Sequence, residues 1–182
     1  MKNQKEHLLL SNDVCFDTNG LIDLIIKGYS SPTVIGIEAK LLAMYPTKPL
    51  TITASDPEYL QSGVSSFDAQ PQKPYITVTS QDIVPVMLFK RDAVPSTSDM
   101  IGWTDQHMFR FDVWGRTPPE TKEVADGLKV ALKRLQRELW SKLRVQLTFS
   151  GIVDAIGETG LPTFYHKYLT ADVNVFQIMK EV

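Results

Sequence analysis

The hydrophobic and polar residues of the stretch HMFRFDVWGRTPPETKEVADGLKVAL, residues 107–132, change their period once, at two prolines. In the first half apolar and polar positions alternate, and an alternation of period two predicts a β-strand. One face of this strand should lie on the core, and it carries Phe109, Phe111 and Val113. The other face should meet water or another protein chain, and it carries Arg110, Asp112 and Trp114.

The second half of the stretch repeats like an amphipathic helix with a strong start signal. Thr117 and Glu120 form a capping box, and Pro118 takes the first helical position, where its missing N–H costs little. Glycine inside a helix costs about 1 kcal/mol relative to alanine, so Gly127 indicates either a close approach, for example to the sheet, or neutral drift. The apolar stripe that should face the core comprises Val124, Leu128, Ala131, Leu132, Leu135 and Leu139.

Two shorter helices are predicted before this region. The first begins after a cap at Thr18 or Asn19 and ends at Gly28. The second spans residues 33–45 and is stopped by Pro46. Its apolar residues have the spacing of one helical face, and they are Val34, Ile37, Leu41 and Met44.

The remaining regular segments alternate as strands. A short one lies in LTITASD, and a second in YITVTSQDIVPVMLFK, where Ile76 and Val78 share a face and Pro85 implies an edge, a bulge or a break. The last lies in TFYHKYLTADVNVFQIM, whose apolar face carries Leu169, Ala171, Val173 and Val175. Strands in the middle and at the end, with helices before and between them, predict an α+β fold. Its sheet should be mainly antiparallel and packed on one face by helices.

Two long polar segments are predicted to be loops. Residues 57–74 are rich in Ser, Gln, Asp and Pro and form a mobile loop, a binding loop or a packed extension. Residues 91–106 carry Met100, Ile101 and Trp103 among polar neighbours. We expect this apolar tip to become ordered on contact with a neighbouring molecule.

Composition changes this picture little. The 182 residues suit one domain, and a formal charge of -2 with a pI near 5.9 gives no global attraction to nucleic acid or to an anionic membrane. The single cysteine, Cys15, excludes an intramolecular disulfide and is interpreted as a small apolar residue in a reducing compartment. Because neither a secretory nor a membrane-spanning segment occurs, we expect a soluble cytoplasmic protein.

The sequence contains no recognisable catalytic or cofactor motif. Its three histidines have no chelating spacing and are interpreted as surface or loop residues, although His107 and His166 could meet across two paired strands. Asp154 and Glu158 are interpreted as parts of an ordinary turn rather than as a carboxylate pair. We therefore expect no catalytic residue, no metal and no cofactor, although a nucleophile and its base can be distant in sequence.

The polar side of the long helix is basic. From residue 122 to residue 144 there are seven lysines and arginines and three acids, a net charge of +4. Two interpretations stay open. These cations form a solvated face that also suits the C-terminal end of the helix dipole, or they form a surface near DNA or an acidic partner.

The order of these segments resembles the tail-terminator (tail-completion) proteins of long-tailed bacteriophages, including the lambda type. That family has a strand of the type aromatic-x-apolar-Asp-Val-Trp, a polar turn, a helix that starts near x-Glu-x-Ala, and a final strand with a pattern like Asp-Val-x-Val. The resemblance covers about residues 33–176. The matching residues are Phe109, Phe111, Asp112, Val113, Trp114, Glu123, Ala125, Leu128, Asp172, Val173 and Val175.

The resemblance implies one domain over residues 1–182, with an N-terminal extension at 1–32 and the family core at 33–176. Such subunits form a homo-hexameric ring that binds the tail tube protein, ends tube polymerisation and presents the surface that meets a head-completion or neck protein. DNA passes through the lumen without specific binding, and neither catalysis, a cofactor nor a membrane is involved. The implied location is the tail–head junction of the virion, after assembly in the cytoplasm of the bacterial host.

The candidate subunit or tube interface combines the apolar tip with the second strand face. Arg110 and Asp112 could pair across a subunit boundary or be solvated singly, and Trp114 is either an interface anchor or covered by its own subunit. The full set of candidates is Met100, Ile101, Trp103, Arg110, Asp112, Trp114 and Arg116.

Three other functions stay open. The first is a different phage neck or head–tail connector protein, which would form a ring but not bind the tube. The second is a small-molecule enzyme with a pocket between the sheet and the loops. The third is a nucleic-acid-binding module that uses the helix at 122–144, against which the net negative charge of the chain argues.

Overall fold

A computed structural model gives the architecture, and it describes residues 17–48, 50–54, 74–84, 100–115, 117–154 and 165–180. Within these ranges, helices pack on one face of a mostly antiparallel sheet. The predicted α+β fold is therefore confirmed. No helix in this part of the chain is both long and apolar enough to cross a membrane.

The first helix, α1, spans Thr18–Ile26. Its cap is Asp17, not Thr18 or Asn19 as predicted, because Asp17 has the extended backbone of a cap and its Oδ1 accepts a 2.7 Å hydrogen bond from the N–H of Gly20. The helix ends at Ile26, two residues before Gly28, where the sequence predicted its end.

A hairpin separates α1 from the second helix. Strand β1, Gly28–Ser30, pairs antiparallel with strand β2, Thr33–Ile35, and helix α2 spans Ile37–Met44. The predicted helical start at residue 33 is therefore wrong. Gly28, which follows the last residues of α1 and begins β1, has a φ of +97° that glycine adopts without strain. The β-branched run Thr-Val-Ile then favours pairing as a strand.

The third helix, α3, spans Pro118–Leu143 and has the predicted start. Thr117 Oγ1 accepts a 3.3 Å hydrogen bond from the N–H of Glu120, and Pro118 is the first helical residue. The helix ends at Arg144, which has a left-handed φ of 56°. Every residue of the predicted apolar stripe is buried. The sequence therefore identified this helix correctly, because its cap and its packing face are both local signals.

The sheet has the strand order β3-β4-β5-β8-β6, and β7 pairs with β8 beside β6. Strand β3 is parallel to β4, and the other pairs are antiparallel. The strands span Thr51–Thr53 (β3), Tyr75–Val84 (β4), Met100–Gly115 (β5), Val145–Phe149 (β6), Val153–Asp154 (β7) and Tyr165–Lys180 (β8).

Three strand assignments differ from the prediction. Residues 100–106, predicted as part of a loop, form the first half of β5 and pair with β8 throughout. Strand β6 was not predicted, although Val145 and Leu147 alternate with exposed residues. Val153–Asp154, interpreted as an ordinary turn, is paired with β8, and Asp154 forms an ion pair with Lys167. Each difference depends on a distant partner strand that the local pattern does not reveal.

The core lies between the helices and one face of the sheet. It contains the predicted faces of β4, β5 and β8, and Leu21, Leu24 and Ile25 of α1 pack into the same cluster. The apolar residues of α1, which lie within the predicted N-terminal extension, are therefore part of the core. Cys15, Pro85 and residues 57–73 of the predicted loop lie outside the described residues.

Gly127 lies against an aromatic ring, so the predicted close approach exists, but its partner is not the sheet. A Cβ atom at this position would be 2.5 Å from the hydroxyl oxygen and 2.7 Å from Cε2 of Tyr45. The Tyr45 hydroxyl also donates a 2.9 Å hydrogen bond to the carbonyl of Glu123, one turn earlier in α3. The residue that follows α2 is thereby fixed onto α3.

We expect Gly127→Ala to lower the free energy of unfolding by about 1–2 kcal/mol, because overpacking against Tyr45 outweighs the gain in helix propensity. Chemical denaturation of the purified variant measures this change. Gly151→Ala is the control, because a Cβ at Gly151 has no atom within 4 Å. In a Tyr45→Ala background Gly127→Ala should instead stabilise, and a stabilising effect with Tyr45 in place would contradict the proposed contact.

A partly buried ion pair joins α2 and the hairpin to α3. Glu138 accepts hydrogen bonds from Lys40 Nζ at 2.8 Å and from the N–H of Ile35 at 2.9 Å, and Lys40 also donates to the carbonyl of Ile35. Partial burial acts to raise the pKa of Glu138, but these two hydrogen bonds and the charges of Lys40 and Lys142 outweigh it. The pKa of Glu138 is therefore lowered.

We expect Glu138→Gln to lower the free energy of unfolding by about 1–3 kcal/mol at neutral pH, because the buried Lys40 ammonium loses its counter-charge. A lowered carboxyl pKa stabilises the fold above the unfolded value, near 4.5, and this contribution is lost as the pH falls through the folded value. The difference between the wild type and the variant in denaturant titrations should therefore shrink below that pH.

The control is Glu123→Gln on the same helix. Glu123 forms an ion pair with Lys48 in which both side chains are more than a third exposed, so its loss should change stability by less than about 1 kcal/mol. Equal effects of the two substitutions at neutral pH would contradict a special role of the Lys40–Glu138 pair.

Candidate functional site on the second face of the sheet

The face of the sheet that lies away from the core carries a compact polar and aromatic group. The strand register places Trp114 between Tyr75 and His166, and it places Asp112 between Thr77 and Tyr168. Arg110 follows in the next row of the same face. We call six of these residues the second-face cluster, namely Thr77, Arg110, Asp112, Trp114, His166 and Tyr168.

Asp112 is the centre of the second-face cluster. Its Oδ1 atom accepts a 2.9 Å hydrogen bond from Arg110 Nε and lies 2.6 Å from His166 Nε2. The Asp112 side chain is 8% exposed, that of His166 4% and that of Arg110 25%. The two partners are thus donors to one buried carboxylate, and charge-assisted hydrogen bonds of this kind are the stronger ones.

Aromatic contacts close the cluster on both sides. The Trp114 and His166 rings are stacked, with centroids 3.7 Å apart and planes within 9° of each other. The guanidinium carbon of Arg110 lies 4.2 Å from the centroid of the Tyr168 ring, a cation–π geometry. On a face that is polar by sequence, the Asp112 carboxylate and the Arg110 guanidinium thus have their partners within the same chain.

The structure bears on three expectations about this face. Asp112 pairs with Arg110 inside the chain, neither across a subunit boundary nor solvated singly, and Trp114 is 5% exposed, which fits the alternative in which its own subunit covers it. His166 is buried in the cluster rather than at the surface. Arg116, the remaining candidate near this end of β5, lies outside the described residues.

Three polar atoms of the cluster are buried without a hydrogen-bond partner in the described structure. They are Thr77 Oγ1, Trp114 Nε1 and His166 Nδ1. A buried unpaired group of this kind costs about 1–3 kcal/mol. The cost identifies these atoms as the points where the cluster can still form hydrogen bonds.

The chemistry that this arrangement allows is limited. A carboxylate that orients an imidazole resembles the base and its orienting group in acid–base catalysis. The second ring nitrogen of His166, however, has no hydroxyl or thiol within hydrogen-bonding distance among the described residues. In the same ranges no group of three or more His, Cys, Asp or Glu side chains has a geometry that could hold a metal ion.

His107 lies on the opposite, core-facing side of β5, so it does not meet His166 across the strands. It pairs in register with Val173, is stacked at 6.4 Å on Phe109 and is buried rather than at the surface as predicted. Burial lowers the pKa of His107, and the charge of Asp105 opposes this shift only in part. Burial of His107 thus favours the neutral imidazole. His7, the third histidine, lies outside the described residues.

The apolar-tip candidates are far from the cluster. Met100, Ile101 and Trp103 lie at the start of β5, where the strand pairs with residues 177–180 of β8. Ile101 and Trp114 are thirteen positions apart on one strand, which corresponds to roughly 44 Å. The seven candidates therefore do not form one site. Arg110, Asp112 and Trp114 are together, and the apolar tip is separate.

The sequence missed three members of the cluster, namely Thr77, His166 and Tyr168. The polar face of the last strand carries Thr170. Because side chains alternate with a period of two, Tyr168 and His166 lie on that same face. Their contact with Asp112 and Trp114 depends on the antiparallel register of β5 and β8, in which Gly115 is opposite Tyr165. No local pattern determines that register.

We expect Asp112→Asn to lower the free energy of unfolding of the isolated chain by about 1–3 kcal/mol, because Arg110 and His166 lose a shared charged acceptor. Urea denaturation followed by circular dichroism measures the change. Asp154→Asn is the control. Asp154 is 58% exposed in its pair with Lys167, so this substitution should change the free energy of unfolding by less than about 1 kcal/mol. An unchanged stability of the Asp112 variant would indicate that the residue serves an interface instead.

Neither a scan against models of protein families nor a search of curated proteins finds a match to this chain.

Proposed function

We propose that this chain is a tail-terminator-type subunit of a long-tailed bacteriophage. In this proposal it forms a homo-hexameric ring at the head-proximal end of the tail tube, ends tube polymerisation and presents the surface that a head-completion or neck protein meets. The subunit acts as a structural virion protein, located at the tail–head junction, without a cofactor.

The observation that carries the proposal is the continuity of the three resembling segments. The strand β5, the helix α3 and the strand β8 form one packed unit, in which β5 and β8 are paired from Met100↔Lys180 to Gly115↔Tyr165. Helix α3 contacts both strands. The motif residues Phe109, Leu128 and Val173 are all fully buried. Segments from distant parts of the sequence thus belong to one structural core, as a shared family fold requires.

The placement of the remaining motif residues limits where an interface can lie. Asp112 and Trp114 are used inside the chain, in the second-face cluster, and do not offer a free surface. This supports a division of roles in which the cluster stabilises the subunit and contacts between subunits occur elsewhere.

The outer end of the β5–β8 pair is the best remaining candidate for such contacts. Strand β4 pairs with β5 only as far as Gln106, and β6 pairs with β8 only as far as Val175. Residues 100–104 and 176–180 thus form a two-stranded ribbon without a third strand among the described residues. Open strand edges favour pairing with another chain, and the ribbon contains the predicted apolar tip, Met100, Ile101 and Trp103.

Two measurements separate this function from its alternative. Light scattering and electron microscopy of the purified chain should give rings of six times the 20.5 kDa subunit mass. A pull-down should retain the tube subunit of the same phage. A ring that does not bind tube subunits would indicate a different neck or head–tail connector protein, and a strictly monomeric chain together with tails of normal length in its absence would contradict both.

We expect the double substitution Ile101→Asp/Trp103→Asp to abolish ring formation or tube binding while the secondary structure of the subunit persists, because two charges would have to be desolvated in a contact surface. Light scattering, circular dichroism and the tube pull-down measure the three properties. The control is Leu42→Asp, at a residue of α2 that is 62% exposed. If the double variant still forms rings and binds the tube, the apolar tip is not part of the interface.

A further inference from the structure

We propose that the exposed face of α3 binds the phosphodiester backbone of nucleic acid without sequence specificity. The surface is a line of cations along the C-terminal two thirds of the helix, with one aromatic residue among them. We call it the basic row, and it consists of Lys129, Lys133, Arg137, Trp140 and Arg144, with Arg134 beside it.

Helical geometry places the basic row on one face. Its members lie four, four, three and four residues apart, and neighbours at these spacings share a helix face. The apolar stripe occupies the opposite side and is buried in the core. Lys133, Arg134, Arg137 and Arg144 are exposed, and Lys129 is half-buried. The basic row is therefore directed away from the sheet along its whole length.

From Lys133 onwards the acids of this helix do not neutralise the basic row, whereas the exposed Asp126 lies three residues before Lys129 on the same face. Glu138 is the one acidic residue from position 129 to position 144, and both of its oxygens are occupied by Lys40 and the N–H of Ile35 on the far side of the helix. Glu123, nearer the start of α3, forms an ion pair with Lys48. In the described residues Lys129, Lys133, Arg134 and Arg137 form no ion pair.

Helix stability does not explain such a pattern. The helix dipole favours cations only in the last turn, which accounts for Lys142 and Arg144 but not for residues 129–137. Lys129 and Lys133 are like charges at i,i+4, and so are Lys133 and Arg137. Pairs of this kind destabilise a helix by about 0.2–0.5 kcal/mol each. The basic row is therefore self-repulsive, and a bound polyanion would relieve the repulsion.

The form of the basic row favours a linear polyanion as its partner. It extends about 22 Å along the helix axis, with steps of about 6 Å from Lys129 to Lys133 and to Arg137. A nucleic-acid strand supplies closely and regularly spaced negative charges over that distance, whereas a folded acidic protein would need a matching line of carboxylates. Trp140 is 48% exposed and has the Arg144 guanidinium 5.7 Å from its ring centroid. An exposed indole of this kind can stack on an unpaired base.

This inference does not depend on the ring proposal, because a single subunit carries the whole basic row. The net charge of -2 is compatible with it. Residues 122–144 contribute +4, so the acids that make the chain negative lie elsewhere in the sequence. A local basic surface on an acidic chain attracts phosphates at short range, within about one Debye length.

The test is fluorescence anisotropy with a labelled mixed-sequence duplex and, separately, a labelled single strand of the same length, between 50 and 200 mM salt. With about four or five phosphate contacts, affinity for the duplex should fall by about 10²–10³-fold over this range, with a log–log slope near -4. Tighter binding of the single strand, reduced by Trp140→Ala, would assign base stacking to the indole. Equal affinity for the duplex and for the single strand would indicate that the basic row contacts only the phosphodiester backbone.

The deciding variant is Lys133→Gln/Arg137→Gln, which should weaken binding at least about tenfold and reduce the salt slope by about two. The control, Lys27→Gln/Lys48→Gln, removes the same charge from two lysines that are paired with acids outside the basic row, and it should leave the slope unchanged. Circular dichroism checks that both variants are folded. Absence of binding at 50 mM salt, equal effects of the two double variants, or equally tight binding of polyglutamate would overturn the proposal.

Discussion

The antiparallel pairing of β5 with β8 is the interaction on which the rest of the structure depends. Sixteen residue pairs fix which residues of each strand share a face, and a shift of one residue would move every side chain to the other face. This register places Phe109 and Phe111 under the stripe of α3. The same register places Trp114 against His166 on the other side. The hydrophobic core and the second-face cluster are thus two results of one pairing.

The second face shows that a polar pattern does not by itself mean a solvent-exposed surface. Asp112 is buried because Arg110 and His166 both donate to it, and Trp114 is buried because His166 lies flat against it. Desolvation of the carboxylate is costly without such partners. The Asp112 carboxylate has both of these partners within the chain, so the β5–β8 ribbon and the basic row are the better candidates for contacts with other molecules.

The distribution of ion pairs gives α3 two different sides. Glu138 joins Lys40 and the hairpin on the inner flank of the helix, and the pKa of Glu138 is lowered by these contacts despite its partial burial. Glu138 thereby serves the fold, while most of the cations of α3 are exposed. A stable subunit and a locally basic surface arise from the same helix, although the whole chain carries a formal charge of -2.

The sequence by itself determined the elements whose signals are local. The Thr117 cap, the stripe of α3 and the alternation of β4, β5 and β8 are all present in the structure, and they sufficed for the fold class. Only the tertiary structure decided what depends on contacts between distant residues. It revealed that residues 100–106 belong to a strand, that Gly127 makes room for Tyr45, and that His166 joins Asp112. The physical reason is that strand pairing and burial are determined by partners far away in the chain, which a local period of two or 3.6 cannot specify.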